Sequence, residues 1–212
     1  MTRTLGQIFI VAAPSGGGKT SLVKALIQAL PEIAGSISHT TRDQRTGEAQ
    51  GKHYFFISEA VFLRMAAAGE FIEHARVFDH YYGTSVAQLQ ARLEAGIDVV
   101  LDIDWQGAAQ IRQRFPDAVS IFILPPSLEV LRQRLCQRGR DEPVIIEDRM
   151  ARAQSEMQHF QEFDYVIIND DFNTALHTLT AIVVAARART PLQCLRHPDI
   201  MTFQPSNAKD LL

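Results

Sequence analysis

The chain reads as an α/β protein, a parallel sheet flanked by helices and interrupted by an inserted α+β lobe. Three observations predict it. Short apolar runs rich in β-branched residues recur along the sequence, as expected of strands covered on both faces. An amphipathic stretch of helical length follows each run, the alternation that a parallel sheet requires. Between about residues 36 and 96 that rhythm gives way to strand-like segments clustered around one helical stretch.

The elements follow in order. The run Gln7–Ala12 feeds a glycine-rich turn and a helix over Lys19–Leu30, which Pro31 ends. In the interrupting region, Ser36–Thr40, Tyr54–Ile57 and Phe71–Phe78 read as strands. A charged turn separates the first two, and a helix over Glu59–Ala68 separates the last two. Tyr81 to Thr84 reads as a loop. The core rhythm resumes with strand Asp98–Ile103 and helix Trp105–Phe115, stopped by Pro116. Strand Ser120–Leu124 precedes helix Ser127–Arg138, for which Ser127 is a suitable N-cap. Strand Tyr165–Ile168 then leads to helix Asn173–Ala188. The polar stretch Gly139 to Pro143 lies between two helices and suits either an ordinary turn or a lid hinge. Pro191, Pro198 and Pro205 mark a loosely packed tail. The expected organisation is a core of residues 1–35 and 97–190, a lobe of 36–96 and a tail of 191–212.

Bulk properties remove several function classes. With 212 residues, 46% of them hydrophobic, the chain can bury one sizeable core and a small inserted subdomain. A net charge of -3 argues against a general nucleic-acid binder. Cys136 and Cys194 lie far apart and form no CxxC pair, which argues against a disulfide framework or a zinc site. No signal-peptide pattern or apolar stretch of about 18 residues is present. The expectation is a soluble, cytoplasmic protein that binds neither membrane nor nucleic acid, with its oligomeric state open.

Residues 13 to 20 read Ala13, Pro14, Ser15, Gly16, Gly17, Gly18, Lys19, Thr20, between the first strand and the first helix. That placement aims backbone N–H groups and a helix N-terminus at one point. Consecutive glycines let the chain wrap closely around an anion. Lys19 adds a positive point charge, and the Thr20 hydroxyl can bind Mg²⁺. This phosphate-binding loop (P-loop) predicts a nucleoside triphosphate as ligand. Ala13 stands where the usual pattern has Gly. Asp102, at the end of a buried strand, sits where P-loop proteins carry a Mg²⁺-side acid acting through water. Asp104 would share its face if that strand continued.

The densest polar segment runs from Thr40 to Phe56. Arg42 and Arg45 offer guanidinium forks that match phosphate oxygens, and Tyr54 adds an oriented hydroxyl. Taken alone, such a segment suits a solvated turn as well as an anion grip. Glu73 likewise suits a solvated strand edge as well as a binding site.

The spacing from Thr40 to Ile57 matches every defining position of the guanylate kinase signature. Ser38 to Arg42, Phe71-Ile72-Glu73, Tyr81 to Thr84, Leu101 to Asp104 with Gln106-Gly107, Arg138-Gly139 and Ile168-Asn169-Asp170 also fall in that family's order. Over roughly residues 5 to 190 the chain resembles a bacterial guanylate kinase. The resemblance implies a P-loop core, a GMP-binding lobe and a helical lid at about 134–150. It implies transfer of the γ-phosphoryl group from MgATP to GMP, and nothing identified reads the ribose 2′-OH against dGMP. Arg42, Arg45, Tyr54 and Tyr82 would then grip the GMP phosphate, and Ser38, Glu73, Thr84 and Asp104 would surround guanine. Arg134, Arg138 and Arg149 would close over the triphosphate with Lys19, and Asn169 and Asp170 would lie near adenine. Pro143 and Asp148 depart from the commoner lid pattern.

The chemistry agrees with these roles. Guanine presents N1–H and its 2-amino group side by side, and a carboxylate is an acceptor-only fork for both. The GMP phosphate is already an anionic nucleophile, so no general base is required. A kinase for another monophosphate is disfavoured by Glu73 and Asp104. A catalytically inactive guanylate-kinase-like binding domain is disfavoured by the complete Gly16 to Thr20 cradle. A GTPase is disfavoured because no Asn-Lys-x-Asp motif occurs.

Overall fold

The structure is a computed structural model that describes residues 5–77, 79–138 and 143–201, without the side chains of Arg138, Pro143, Val144 and Ile200. Phe78 and residues 139–142, at the expected lid hinge, lie outside the described residues.

The chain begins with β1 (Ile8–Ala12), α1 (Lys19–Ala29) and β2 (Ile33–Gly35). It continues through β3 (His39–Thr40), β4 (Phe55–Phe56), α2 (Glu59–Ala67), β5 (Phe71–Val77), β6 (His80–Ser85) and α3 (Val86–Glu94). β7 (Asp98–Asp102), α4 (Trp105–Arg114), β8 (Val119–Leu124), α5 (Leu128–Arg138) and α6 (Pro143–Met157) follow. A 3-10 turn (Gln158–Glu162), β9 (Tyr165–Ile168), α7 (Phe172–Arg187), α8 (Thr190–Arg196) and α9 (Pro198–Met201) complete the order.

One sheet has five parallel strands in the order β2-β7-β1-β8-β9. Alternation along a strand sends neighbouring side chains to opposite faces, and in β1 both faces are buried. Phe9 and Val11 pack with Leu22 and Leu26 of α1 and Leu179 and Val183 of α7. Ile8 and Ile10 pack with Leu89 and Leu93 of α3 and Ala108 and Ile111 of α4. This is the three-layer α/β architecture that the apolar runs predict. A smaller cluster joins Leu131 and Leu135 of α5 to Met150 and Ala153 of α6.

The second sheet, β4-β3-β6-β5, is mixed and shares no strand with the first. Phe62 of α2 is fully buried beneath it, its ring stacked at 4.5 Å on Phe71 and 5.3 Å on Tyr81. Side chains of α4 tie this sheet to the first. Gln110 exchanges hydrogen bonds with the backbone of His74, and Arg114 donates to the carbonyls of Phe71 and Ile72.

Three expectations need correction. Tyr81 to Thr84 is not a loop but the middle of β6, because its backbone pairs with β5 and β3 on either side. The β7 strand ends at Asp102, so Asp104 leaves the strand face and instead caps α4. Of the tail expected over 191–212, residues up to Met201 form the helices α8 and α9 rather than a loose segment, and 202–212 lie outside the described residues. Arg196 donates to the Leu5 carbonyl and to Asp98, whose fully buried carboxylate also takes a bond from Arg187.

Candidate functional site

The phosphate loop joins the C-terminal end of β1 to the first turn of α1. Gly16 (φ +86°) and Gly18 (φ +93°) adopt left-handed conformations that residues with a Cβ rarely take. A Cβ at Gly16 would lie 2.9 Å from Leu131, so the loop rests directly on α5. The Gly17 amide donates to the Pro14 carbonyl at 2.9 Å, which closes the turn. Ala13 is half-buried, Pro14 buried and Ser15 exposed.

Lys19 and Thr20 meet Asp102 across the parallel strands. The ammonium lies 2.7 Å from one Asp102 carboxylate oxygen and donates to the Ile103 carbonyl at 2.9 Å. The Thr20 hydroxyl donates to the other oxygen at 3.2 Å. A hydroxyl and a carboxylate at a helix N-terminus are the oxygen donors a hard cation takes. Among the described residues there is no cluster of three His, Cys, Asp or Glu side chains that could hold a metal ion. Mg²⁺ held by one or two protein oxygens and substrate phosphates needs no such cluster, so the residues fit that ion.

A cleft of about 460 Å³ opens beside the loop, lined by Gly16, Gly18, Ser21, Arg134, Asn169 and Asp170. Asn169 is buried and turned toward the loop, its side-chain amide donating to the Gly17 carbonyl at 2.8 Å. Its own carbonyl accepts from Arg134 at 2.8 Å. The other terminal nitrogen of Arg134 is buried with no hydrogen-bond partner, a donor held in reserve beside the phosphate loop. Asp170 is exposed at the cleft, and Arg149 is half-buried on α6. The Arg138 side chain lies outside the described residues.

A second cluster forms on the β3–β4 connection and β6. Arg42 donates to both carboxylate oxygens of Glu48, at 2.7 and 3.0 Å, and to the Asp43 carbonyl at 2.6 Å. Its guanidinium lies 5.4 Å from the Tyr54 ring centre and 5.7 Å from that of Phe56. Tyr54 and Tyr82 meet edge to face at 6.0 Å. The Arg42 bond holds the Glu48 carboxyl below its ordinary range, and Glu48 in turn raises Arg42. Arg45 is exposed and joins through its amide, which donates to Glu48 at 2.8 Å. The Ser38 carbonyl accepts from Phe55. Burial raises the Tyr54 phenol, and the Asp102 charge adds to that rise, so the two clusters lie within electrostatic reach.

A third group centres on Glu73, 4% exposed in β5. Cross-strand pairing sets it opposite Thr84, whose hydroxyl donates to one carboxylate oxygen at 2.6 Å. The other oxygen rests against the first turn of α4, where a Cβ on Gly107 would lie 2.7 Å away. Asp104 caps that turn by accepting from the Gly107 amide at 2.8 Å. Burial pushes the Glu73 carboxyl up to about 7; the Asp104 charge adds to the rise, while the Thr84 bond and Lys19 oppose it.

The P-loop, Lys19, Thr20, Asp102, Arg134, Asn169 and Asp170 therefore meet at one end of the parallel sheet. Arg42, Tyr54 and Tyr82 form a second group, and Glu73, Thr84 and Asp104 a third. Sequence reasoning assigned no role to three residues that the site contains. Glu48 holds Arg42, Gly107 makes room for Glu73, and Glu156 of α6 accepts from the Ser15 amide at 3.2 Å. Glu48 carries a signal in its place in the signature segment and Gly107 in the Gln106-Gly107 pair; Glu156 carries none.

Comparisons with known proteins agree with one another. The family model described as guanylate kinase matches residues 5–186. A guanylate kinase of Legionella pneumophila (strain Lens) is 57% identical over 198 residues, covering 93% of this chain and 95% of the relative. The guanylate kinase of Photorhabdus laumondii is 53% identical over 199 residues, covering 93% and 96%. The crystal structure of guanylate kinase from Anaplasma phagocytophilum superposes with a TM-score of 0.78 at 34% identity, covering 96% of this chain and 98% of that one.

Proposed function

Because the chain belongs to the guanylate kinase family, we propose that its converging clusters bind MgATP and GMP and align them for phosphoryl transfer. The products are ADP and GDP. The observation that carries the assignment is Glu73, a buried acceptor fork fixed by Thr84 and facing the phosphate loop's lysine electrostatically. AMP lacks the 2-amino donor and has an acceptor at N1, so it would leave that carboxylate unpaired. Sites of this kind reject the wrong ligand by roughly 10⁴-fold. dGMP keeps both donors and is accepted.

ATP lies along the phosphate loop, its β- and γ-phosphates on the loop amides and Lys19. Thr20 and Asp102, the latter through water, would hold Mg²⁺, which would neutralise phosphate charge. Arg42, Arg45, Tyr54 and Tyr82 hold the GMP phosphate, and Ser38, Thr84 and Asp104 complete the guanine pocket with Glu73. An oxygen of that phosphate attacks the γ-phosphorus in line as the bond to the β–γ bridging oxygen breaks. Arg134, Arg138 and Arg149, on a lid spanning about 134–150, meet the charge on the transferring group. Asn169 braces the loop and, with Asp170, borders the adenine side. Catalysis consists of alignment and electrostatic stabilisation, with no proton acceptor needed.

The intact loop, with Lys19 and Thr20 both engaged on Asp102, favours the enzyme over an inactive binding domain. No helix among the described residues is long and apolar enough to cross a membrane, and the substrates suit a cytoplasmic enzyme of purine nucleotide metabolism. The test is ADP release from MgATP with GMP, AMP, UMP and CMP offered separately. Turnover with GMP far above the others is expected. Preference for another monophosphate would overturn the pocket, and no turnover from folded, GMP-binding protein would overturn the kinase reading.

A further inference from the structure

The end of α6 is fixed from both directions. Upstream, Met150 and Ala153 pack on Leu131 and Leu135 of α5, the helix on which the phosphate loop rests. Downstream, His159 stacks on Trp105 with ring centres 3.6 Å apart and planes 7° from parallel. His159 also meets Glu162 at 2.6 Å, and Glu162 accepts from Arg112 of α4 at 2.9 Å. Glu156 sits between these anchors and reaches the other way, its Oε2 accepting the Ser15 amide at 3.2 Å. Burial raises this carboxyl above its ordinary range, while the Ser15 bond and the Lys19 charge lower it.

A half-buried carboxylate that spends an oxygen on a loop amide fixes that loop against whatever carries the carboxylate. Here the carrier is the helix that also bears Arg149, so the bond ties the lid arm to the phosphate loop. Ser15 directly precedes Gly16, the residue whose left-handed backbone starts the glycine cradle. We propose that Glu156 is a positioning residue for phosphoryl transfer. By accepting the Ser15 N–H it holds the loop in register with α6, and its effect falls on turnover rather than on GMP binding. The assignment rests on the kinase reading.

The experiment compares the wild-type chain with E156A and E156Q. Gln keeps one acceptor oxygen and the side-chain length, whereas Ala keeps neither. Amide hydrogen exchange at Ser15 reports the bond without reference to activity, and steady-state kinetics with MgATP and GMP report its consequence. In E156A, Ser15 exchange should quicken at least about tenfold and kcat should fall by about tenfold or more, the scale of a small loss of alignment. KM for GMP should stay within about twofold, the pattern of a contact that matters in the transition state. E156Q should return both readouts to within about threefold of wild type. Unchanged Ser15 exchange in E156A overturns the proposal, as does kcat within twofold of wild type. So does an E156Q as impaired as E156A, which would assign the effect to charge rather than to the hydrogen bond. An E156A that binds ATP more tightly and turns over as fast also overturns it, since the carboxylate would then compete with phosphate. A wild-type chain without GMP turnover would overturn the kinase reading instead, and Ser15 exchange would still decide whether the brace exists.

Discussion

At the scale of single residues, the proposed guanine pocket turns on Glu73 and Gly107, which meet at the first turn of α4. Glu73 must be ionised to take both guanine donors, because its acid form turns one acceptor into an O–H. With the carboxyl raised to about 7 in the empty site, protons and GMP compete for it below that pH. kcat/KM for GMP should therefore be flat above about pH 7 and fall by up to tenfold per unit below it. The GMP phosphate, with a second pKa of about 6, adds its own fall at lower pH. E73Q keeps only the phosphate component, so the difference between the two profiles isolates Glu73; identical profiles would remove Glu73 from the guanine site. The linked stability has the opposite sign. A carboxyl raised in the fold contributes stability below its unfolded pKa near 4.5 and loses it as pH rises through about 7, so added GMP should stabilise most at high pH. Gly107 acts by leaving space. A methyl group there would push on Glu73 Oε2, the movable end of a side chain, rather than on backbone. G107A should raise KM for GMP about tenfold or more while leaving KM for ATP and the melting temperature nearly unchanged. An unaltered KM for GMP would mean that the carboxylate has room to spare.

Single elements show how stability and chemistry separate. β7 carries Asp98 at its N-terminal end and Asp102 at its C-terminal end, roughly 13 Å apart at strand rise. Asp98 is fully buried, accepts from the Gln7 amide and pairs with Arg187 and Arg196. Its place at the far end of the strand makes it a clasp joining α7 and α8 to the sheet. Removing one member of a buried charge cluster costs about 3 kcal/mol or more. D98A should accordingly lower the melting temperature by about 6–12 °C and leave kcat at 25 °C within about twofold, measured by calorimetry and steady-state assay. Unchanged melting would show that the arginines find equivalent partners. The same contrast explains what the sequence made legible. The strands β1, β7 and β8 and the helices after them are readable because burial on both faces leaves an unbroken apolar run, and the edge strand β9 is readable from its apolar run although only Ile167 of it is buried. β6 was not, since His80, Tyr81, Tyr82 and Gly83 offer no such run and the strand is held by neighbours on both sides. The three-residue β2 and the helices after Arg189 were missed for a related reason: the partners that fix them, β7 and Asp98, lie far away in sequence. Within the site, the P-loop and the signature segment are continuous in sequence and could be read. Glu156 and Gly107 act on residues 141 and 34 positions away, respectively; the Gln106-Gly107 pair marks the place of Gly107 but not its contact with Glu73, and no local pattern announces Glu156.

At the scale of the whole molecule, the two sheets share no strand, and the chain passes between them near residues 36–38 and 85–86. The α4 ties and Ile72 of β5, which packs in the cluster of Ile8 and Ile10, join the second sheet to the first on one side, so any turn of the lobe would pivot there and at those crossings. Although the net charge is -3, cations gather in both groups of site residues: Lys19 and Arg134 at the phosphate loop, Arg42 and Arg45 around Glu48 in the lobe. Asp102 and Glu48 offset only part of this charge, so bringing the two groups together is less favourable without phosphate. If each nucleotide brings its phosphate to one of these groups as proposed, full closure should require both. MgADP with GMP should give a smaller radius of gyration in solution scattering than either ligand alone, without turnover during the measurement. Screening at about 0.15 M salt acts over roughly 8 Å, so the unliganded molecule should compact slightly as salt rises, whereas the doubly liganded one should not. A radius unchanged by both ligands would mean that the cleft is already closed. Turnover would then be limited by chemistry or release rather than by the approach of the two lobes.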